Sequence, residues 1–181
     1  MSQHITRKEL KQDRIRESLE HGAEAVASHT RFVTTALIAA ALVVAAWGAW
    51  HFYSERRNVK ASAALDEAMK IYNARIRAAG EPAESGEITY LDEPTKMEAA
   101  ATKFIDVADK YPRTDAGRLA RYYAALSLEE SNRTNQALEN LKKLEGTRDK
   151  ELGALAQYQT ALIYARTGKP DDAVKALRAL A

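Results

Sequence analysis

The chain has 181 residues, 27 Lys and Arg against 25 Asp and Glu, a formal charge of +2 and no cysteine. Neither sign gathers into a long block, which argues against nucleic-acid binding; the missing thiol excludes disulfides, thiolate catalysis and a cysteine-linked lipid anchor. All four histidines, His4, His21, His29 and His51, fall early, so the large C-terminal part lacks both His and Cys, the commonest catalytic side chains.

Residues 1–31 form a polar tail. Thr6 and Glu9 have capping-box spacing, with Ile5 placed to staple onto Leu10, so a helix is expected to start there. Leu10, Ile15, Leu19 and Val26 make a narrow apolar stripe, suited to a partner or a membrane surface, or to a mostly solvated tail. His21 and His29 have no carboxylate or thiol arranged beside them for a metal, and no metal or cofactor is expected.

Phe32 to Tyr53, FVTTALIAAALVVAAWGAWHFY, holds no charged side chain when His51 is neutral. Its 22 residues would make a helix of roughly 33 Å, enough for a hydrocarbon layer of about 30 Å. Arg31 can snorkel at one end, while Trp47, Trp50, Phe52 and Tyr53 crowd the other, where amphipathic rings favour the interface. A buried core helix seldom needs so long an uncharged run. A signal peptide would have a shorter apolar segment, no polar tail of this length before it, and a small-residue cleavage site after it. The expectation is a permanent transmembrane helix over 32–53 in the lipid bilayer. Ala41, Ala45, Ala49 and Gly48 give it a small-residue face on which another such helix, a second copy included, could pack; alanine is also abundant throughout the chain.

Residues 54–181 suffice for one modest domain. Leu65, Met69, Tyr72 and Ile76 keep the helical period with no Gly or Pro before Gly80, so the anchor helix is expected to run on to Ala79, as a rod of roughly 70 Å from Phe32. Gly80 to Pro94 reads as a flexible loop over 80–94. Thr95 and Glu98 then suggest a helix ending near Tyr111-Pro112. Asp115 is placed to cap a helix to about Ser131, and Thr134 one that stops at Gly146. Another ends at Gly168, and Pro170 suits the first turn of the last. No stretch reads as a strand, and the fold class is all-α.

Aligned on alanine, three helices share one pattern: Ala100, Phe104, Val107; Ala137, Leu141, Leu144; Ala173, Leu177, Leu180. The intervals of 37 and 36 residues lie close to the about 34 of a tetratricopeptide repeat. Ala161, Tyr164, Gly168 and Ala173 resemble that repeat's core, and Pro112 sits where the family closes a repeat. Arg121 and Gln157 stand where the repeat has tryptophan, and the first repeat is split by the loop after Gly80. The fold implied is a tetratricopeptide-like α-solenoid, whose pairs must stack to cover their apolar faces and so form a concave groove. In the family that groove is lined by first helices and binds peptides or proteins. Carried over, its positions are Leu119, Tyr122, Leu126, Glu129 and Glu130 in the middle repeat and Leu155, Tyr158, Leu162 and Arg166 in the last. Tyr122 and Tyr158 occupy equivalent places, as a stacked pair offering contact area to an extended peptide or as side chains packed on neighbouring helices. Leu177 and Leu180 leave an apolar stripe at the end of the array, which implies either further chain or a covering partner or second copy.

Polar tail, single span, continuing helix and divergent repeats together resemble the ancillary subunit family of the bacterial SecYEG translocon. That resemblance implies an inner-membrane protein with its N-terminus cytoplasmic and its repeats periplasmic. It implies as partners the Sec translocon subunits, a membrane-anchored periplasmic chaperone and unfolded or extended polypeptides. The flanking charges do not support that topology cleanly: Arg7, Lys8, Lys11, Arg14, Arg16 and Arg31 precede the span, yet Arg56, Arg57 and Lys60 crowd its far side. A scaffold for another envelope assembly, or a cytoplasmic-facing docking protein, is the alternative. No enzymatic activity is expected, because the adjacent carboxylates Glu129-Glu130 and Asp171-Asp172 point about 100° apart on a helix and cannot easily flank one substrate atom.

Overall fold

The computed structural model describes residues 30–78, 80–82 and 86–180. The tail expectations, from Thr6 to the histidines His4, His21 and His29, lie outside the described residues. The chain divides into two units, Met1–Tyr53 and Ser54–Ala181. One helix, α1, spans Thr30–Tyr72.

From Phe32 to Tyr53 α1 carries no Asp, Glu, Lys or Arg. The hydroxyls of Thr34 and Thr35 donate to the carbonyls of Thr30 at 2.8 Å and Arg31 at 2.7 Å, which hides them within the helix's own backbone. Trp47 and His51, one turn apart, stack at 5.9 Å. Arg31, Trp47, Trp50 and Tyr53 are all exposed. None of the most apolar 18-residue window is buried, so the described residues supply no core around it. Its length and composition suit it to cross a membrane.

The second unit is built from helix pairs. The part of α1 from Ser54 onward packs with α2 (Glu93–Lys110); α3 (Asp115–Glu130) pairs with α4 (Thr134–Lys142), and α5 (Lys150–Arg166) with α6 (Pro170–Arg178). The fold is the expected helical-repeat array. Ala100, Phe104 and Val107 are buried, as are Ala137, Leu141 and Leu144, so the alanine-aligned positions face inward in the first two copies. In the third only Ala173 is buried, and Leu177 stands 45% exposed. One core joins Ala61, Leu65 and Ala68 of α1 to Phe104 and Val107 of α2 and Ala120 and Ala124 of α3. A second joins Ala125 and Leu128 of α3 to Leu141 of α4 and Ala156 and Ile163 of α5.

The stretch between α1 and α2 differs from expectation. The helix ends at Tyr72, not Ala79, and Arg75–Ile76 (β1) pairs in parallel with Thr89–Tyr90 (β2), two short strands where none was expected. The helical period of Ile76 gave no hint of a break because nothing local causes one. Backbone groups after Tyr72 find partners across the loop instead, with Arg77 N–H donating to the Tyr90 carbonyl at 2.9 Å. Arg75 pairs with Glu81 at 2.8 Å and Glu87 at 3.4 Å, drawing both arms of the loop together.

Helix starts shift by one to three residues from their expected caps. Asp92, not Thr95, caps α2, accepting from Thr95 N–H at 2.8 Å, and Pro94 falls in the first turn, where a missing N–H costs nothing. Thr114, not Asp115, caps α3. Thr134 opens α4 without a side-chain cap, and α4 ends at Lys142, short of Gly146. Left-handed residues recur 36 positions apart: Asn132 with φ 62° after α3 and Gly168 with φ 73° after α5. In each the next N–H reaches back into the last turn, Arg133 to Leu128 at 2.7 Å and Lys169 to Tyr164 at 2.9 Å.

Among the described glycines the tightest approach is at Gly117, where an added Cβ would lie 1.9 Å from the Tyr111 carbonyl oxygen. Gly153 has room, its nearest would-be contact being Thr147 at 3.5 Å. Gly117→Ala is therefore expected to lower stability by about 2–3 kcal/mol through backbone displacement, and Gly153→Ala to be neutral or to add up to about 1 kcal/mol from helix propensity. Urea unfolding followed by circular dichroism checks the contrast.

Candidate protein-binding face

Two helices supply the candidate residues. Leu119, Tyr122, Leu126 and Glu129 recur on α3 at helical spacing, as do Leu155, Tyr158, Leu162 and Arg166 on α5, so each set forms one stripe. The stripes are joined through Glu129. Its carboxylate is ion-paired with Arg166 and accepts from Gln159 Nε2 at 2.7 Å, which ties the end of α3 to α5. Glu129 is 13% exposed in this bridge and so is shielded from competing water. Leu155 and Tyr158, by contrast, are about half exposed, 50% and 49%, and Leu119 and Leu162 stand partly open beside them. Apolar area thus lies along both helices, with a fixed polar contact between.

The tyrosines at equivalent places have different surroundings. Tyr122 is half-buried and meets the ring of Tyr123 edge-on at 6.0 Å, while Tyr158 faces solvent. Among the described residues no ring contact joins Tyr122 to Tyr158. Glu130 lies within electrostatic reach of Glu93 and Lys96 at the start of α2 as well as of Glu129. Partial burial, and then the neighbouring Glu93, raise its carboxyl above the ordinary 4.5, against a smaller opposing effect of Lys96. Lys96 is itself buried and pairs with Glu93 at 2.8 Å.

An aromatic cluster next to Glu130 was not among the residues singled out from the sequence. Tyr72 of α1 meets Tyr123 at 5.7 Å and Phe104 at 6.0 Å, and Phe104 stacks on Tyr123 at 5.5 Å. Burial, then the charge of Glu130, raise the Tyr72 hydroxyl's pKa above 10.0, and burial does the same for Tyr122. The available signal was the Tyr122-Tyr123 doublet, in which one ring packs against the second core and the other against the first.

Arg121 occupies the place where the repeat has tryptophan. It is buried, donates to Asn140 Oδ1 of α4 at 3.2 Å, and pairs with Asp109 of α2 at 2.7 Å. A charged clamp across three helices thus replaces an aromatic anchor. A guanidinium suits the task because its fixed fork reaches two acceptors in different directions.

A family model for a tetratricopeptide repeat-like domain matches residues 27–181. The chain belongs to this tetratricopeptide repeat-like family. The match takes in the apolar helix as well as the three helix pairs. No curated protein and no solved structure matches the chain. Tetratricopeptide repeat-like domains serve as protein-binding scaffolds, and the stripes on α3 and α5 carry open apolar surface.

Glu130 gives the face a pH signature. With its folded pKa above the unfolded value, the native state binds the proton more readily, so its contribution favours folding in acid and is lost as pH rises through the raised pKa. Glu130→Gln is expected to raise the melting temperature at pH 7 and leave it unchanged at pH 3.5. Thermal unfolding of the two proteins at both pH values checks this.

Proposed function

We propose that the protein is a membrane-anchored, non-enzymatic scaffold: an ancillary subunit of the Sec translocon that engages chaperones or emerging polypeptides through the α3 and α5 stripes. The observation that carries the scaffold reading is the pair of half-exposed stripes, locked in register by Glu129, Arg166 and Gln159. Extended polypeptides bind surfaces of this kind through rigid aromatic and aliphatic contacts, which lose little entropy on binding. The anchor reading rests on the most apolar 18-residue window of α1, none of which is buried. The translocon assignment rests on the resemblance in architecture, and it carries the topology with it: N-terminus in the cytoplasm, repeats in the periplasm.

Arg56, Arg57 and Lys60 favour a second reading, a docking protein facing the cytoplasm, because basic residues flanking a span are retained on that side. The absence of cysteine allows a direct decision. Asn135→Cys places a thiol at an exposed position at the start of α4. A membrane-impermeant maleimide is expected to label it in cells whose outer membrane alone is permeabilised. Labelling only after lysis overturns the periplasmic assignment. Photo-cross-linking residues at Leu155 and Tyr158 are then expected to capture a translocon subunit or a periplasmic chaperone. Equal capture from the exposed Lys143 position sinks the role given to the stripes.

A further inference from the structure

The end of the repeat domain that follows the apolar stretch is basic, and the protein-binding stripes do not account for it. Arg56, Arg57 and Lys60 come three, four and seven residues after Tyr53. Whatever path the chain takes, three residues reach at most about 11 Å and seven about 25 Å. The fold brings two further cations to them. Arg57 Nη2 donates to the Lys110 carbonyl at 2.9 Å, and the Arg57 guanidinium and Lys110 ammonium lie 5.9 and 5.6 Å from the centre of the Tyr111 ring. Arg113 follows in the same turn between α2 and α3, and Arg56, Lys60, Lys110 and Arg113 are exposed.

Two of the acidic residues in this stretch are already paired elsewhere, Asp109 with Arg121 at 2.7 Å and Asp115 with Arg118. The clamp on Tyr111, itself nearly buried, fixes the Lys110 turn against α1. Anionic lipid headgroups attract Lys and Arg within roughly a Debye length, about 8–10 Å, and Arg56 and Arg57, three and four residues after Tyr53, come close to that range when the apolar helix spans a bilayer.

We propose that this basic end, Arg56, Arg57, Lys60, Lys110 and Arg113, binds the anionic headgroups of phospholipids in the bilayer that holds the apolar helix. The proposal rests on the anchor reading above. It gives the basic flank a role in seating the folded domain on either side of a membrane, apart from any role during insertion. A domain held by several headgroup contacts presents its binding face at a restricted height and tilt; one held by the helix alone does not.

The test uses the full chain in vesicles. Pro112 is exposed between Lys110 and Arg113, and Pro112→Cys supplies a single thiol for an environment-sensitive fluorophore. Quenching by a headgroup nitroxide lipid is compared in vesicles of phosphatidylcholine alone and with about a third phosphatidylglycerol. About twofold stronger quenching is expected with the anionic lipid, falling to the phosphatidylcholine level in about 0.5 M salt. The same fall is expected on adding Lys110→Glu with Arg113→Glu, where circular dichroism shows helicity retained. Equal quenching in the two lipids, or quenching insensitive to salt, overturns the proposal without requiring the charge variant to fold. Flotation of the chain with the vesicles after a high-salt wash reports the anchor separately. A chain that floats but shows no lipid dependence defeats the seating alone, whereas a chain that washes off defeats both.

Discussion

The repeat domain depends on alanine at its helix crossings. Ala61 and Ala68 of α1, Ala100 and Ala108 of α2, Ala120, Ala124 and Ala125 of α3, Ala137 of α4, Ala156 and Ala161 of α5, and Ala173 of α6 are all buried. A methyl group lets helix axes approach closely, and the space left over is filled by a few large side chains, Phe104, Leu128, Leu141, Leu144 and Ile163. Close approach leaves no slack at the turns. Hence Gly117, at the foot of α3, has the Tyr111 carbonyl where a Cβ would go. The same economy explains why an arginine can hold the place of a tryptophan: with small residues around it, Arg121 extends between helices to Asp109 and Asn140.

What the sequence made legible follows from how local each cause is. The alanine-aligned triads at 100 and 137 declare buried helix faces because burial imposes a period along the sequence, while the triad at 173 buries only its alanine. Cap positions were less legible. In Asp92-Glu93-Pro94-Thr95 two residues can cap a helix, and the choice of Asp92 is made by Pro94, which is comfortable in a first turn. In Thr114-Asp115 it is made by the hydroxyl, which donates back to the Tyr111 carbonyl at 2.9 Å while accepting from Gly117 N–H at 3.0 Å. The parallel pairing of Arg75–Ile76 with Thr89–Tyr90 was not legible at all, since two-residue strands leave no alternation to read.

The candidate face divides the same way. Each stripe is periodic along a single helix, so its members could be named from sequence. The bridge that joins them is not, because Glu129 meets Gln159 and Arg166 across 30 and 37 positions of intervening chain. The aromatic cluster is likewise non-local: Tyr72 belongs to α1, Phe104 to α2 and Tyr123 to α3, and only stacking brings the rings together. The family match adds breadth, since it runs from residue 27 and so treats the apolar helix and the repeats as one sequence pattern.

The bridge also bears on the kind of chemistry this face can support. A general acid or base needs lone pairs open to substrate, at a site where two groups converge. Glu129 spends one oxygen on Arg166 and the other on Gln159, which ties the two repeats together. Its neighbour Glu130 feels the charges of Glu93 and Lys96 and lies near the aromatic cluster of Tyr72. What the face offers a partner is held apolar area, with Leu155 and Tyr158 at its open side. In the scaffold role proposed above, the contacts of Glu129 with Arg166 and Gln159 would set the spacing of the two stripes.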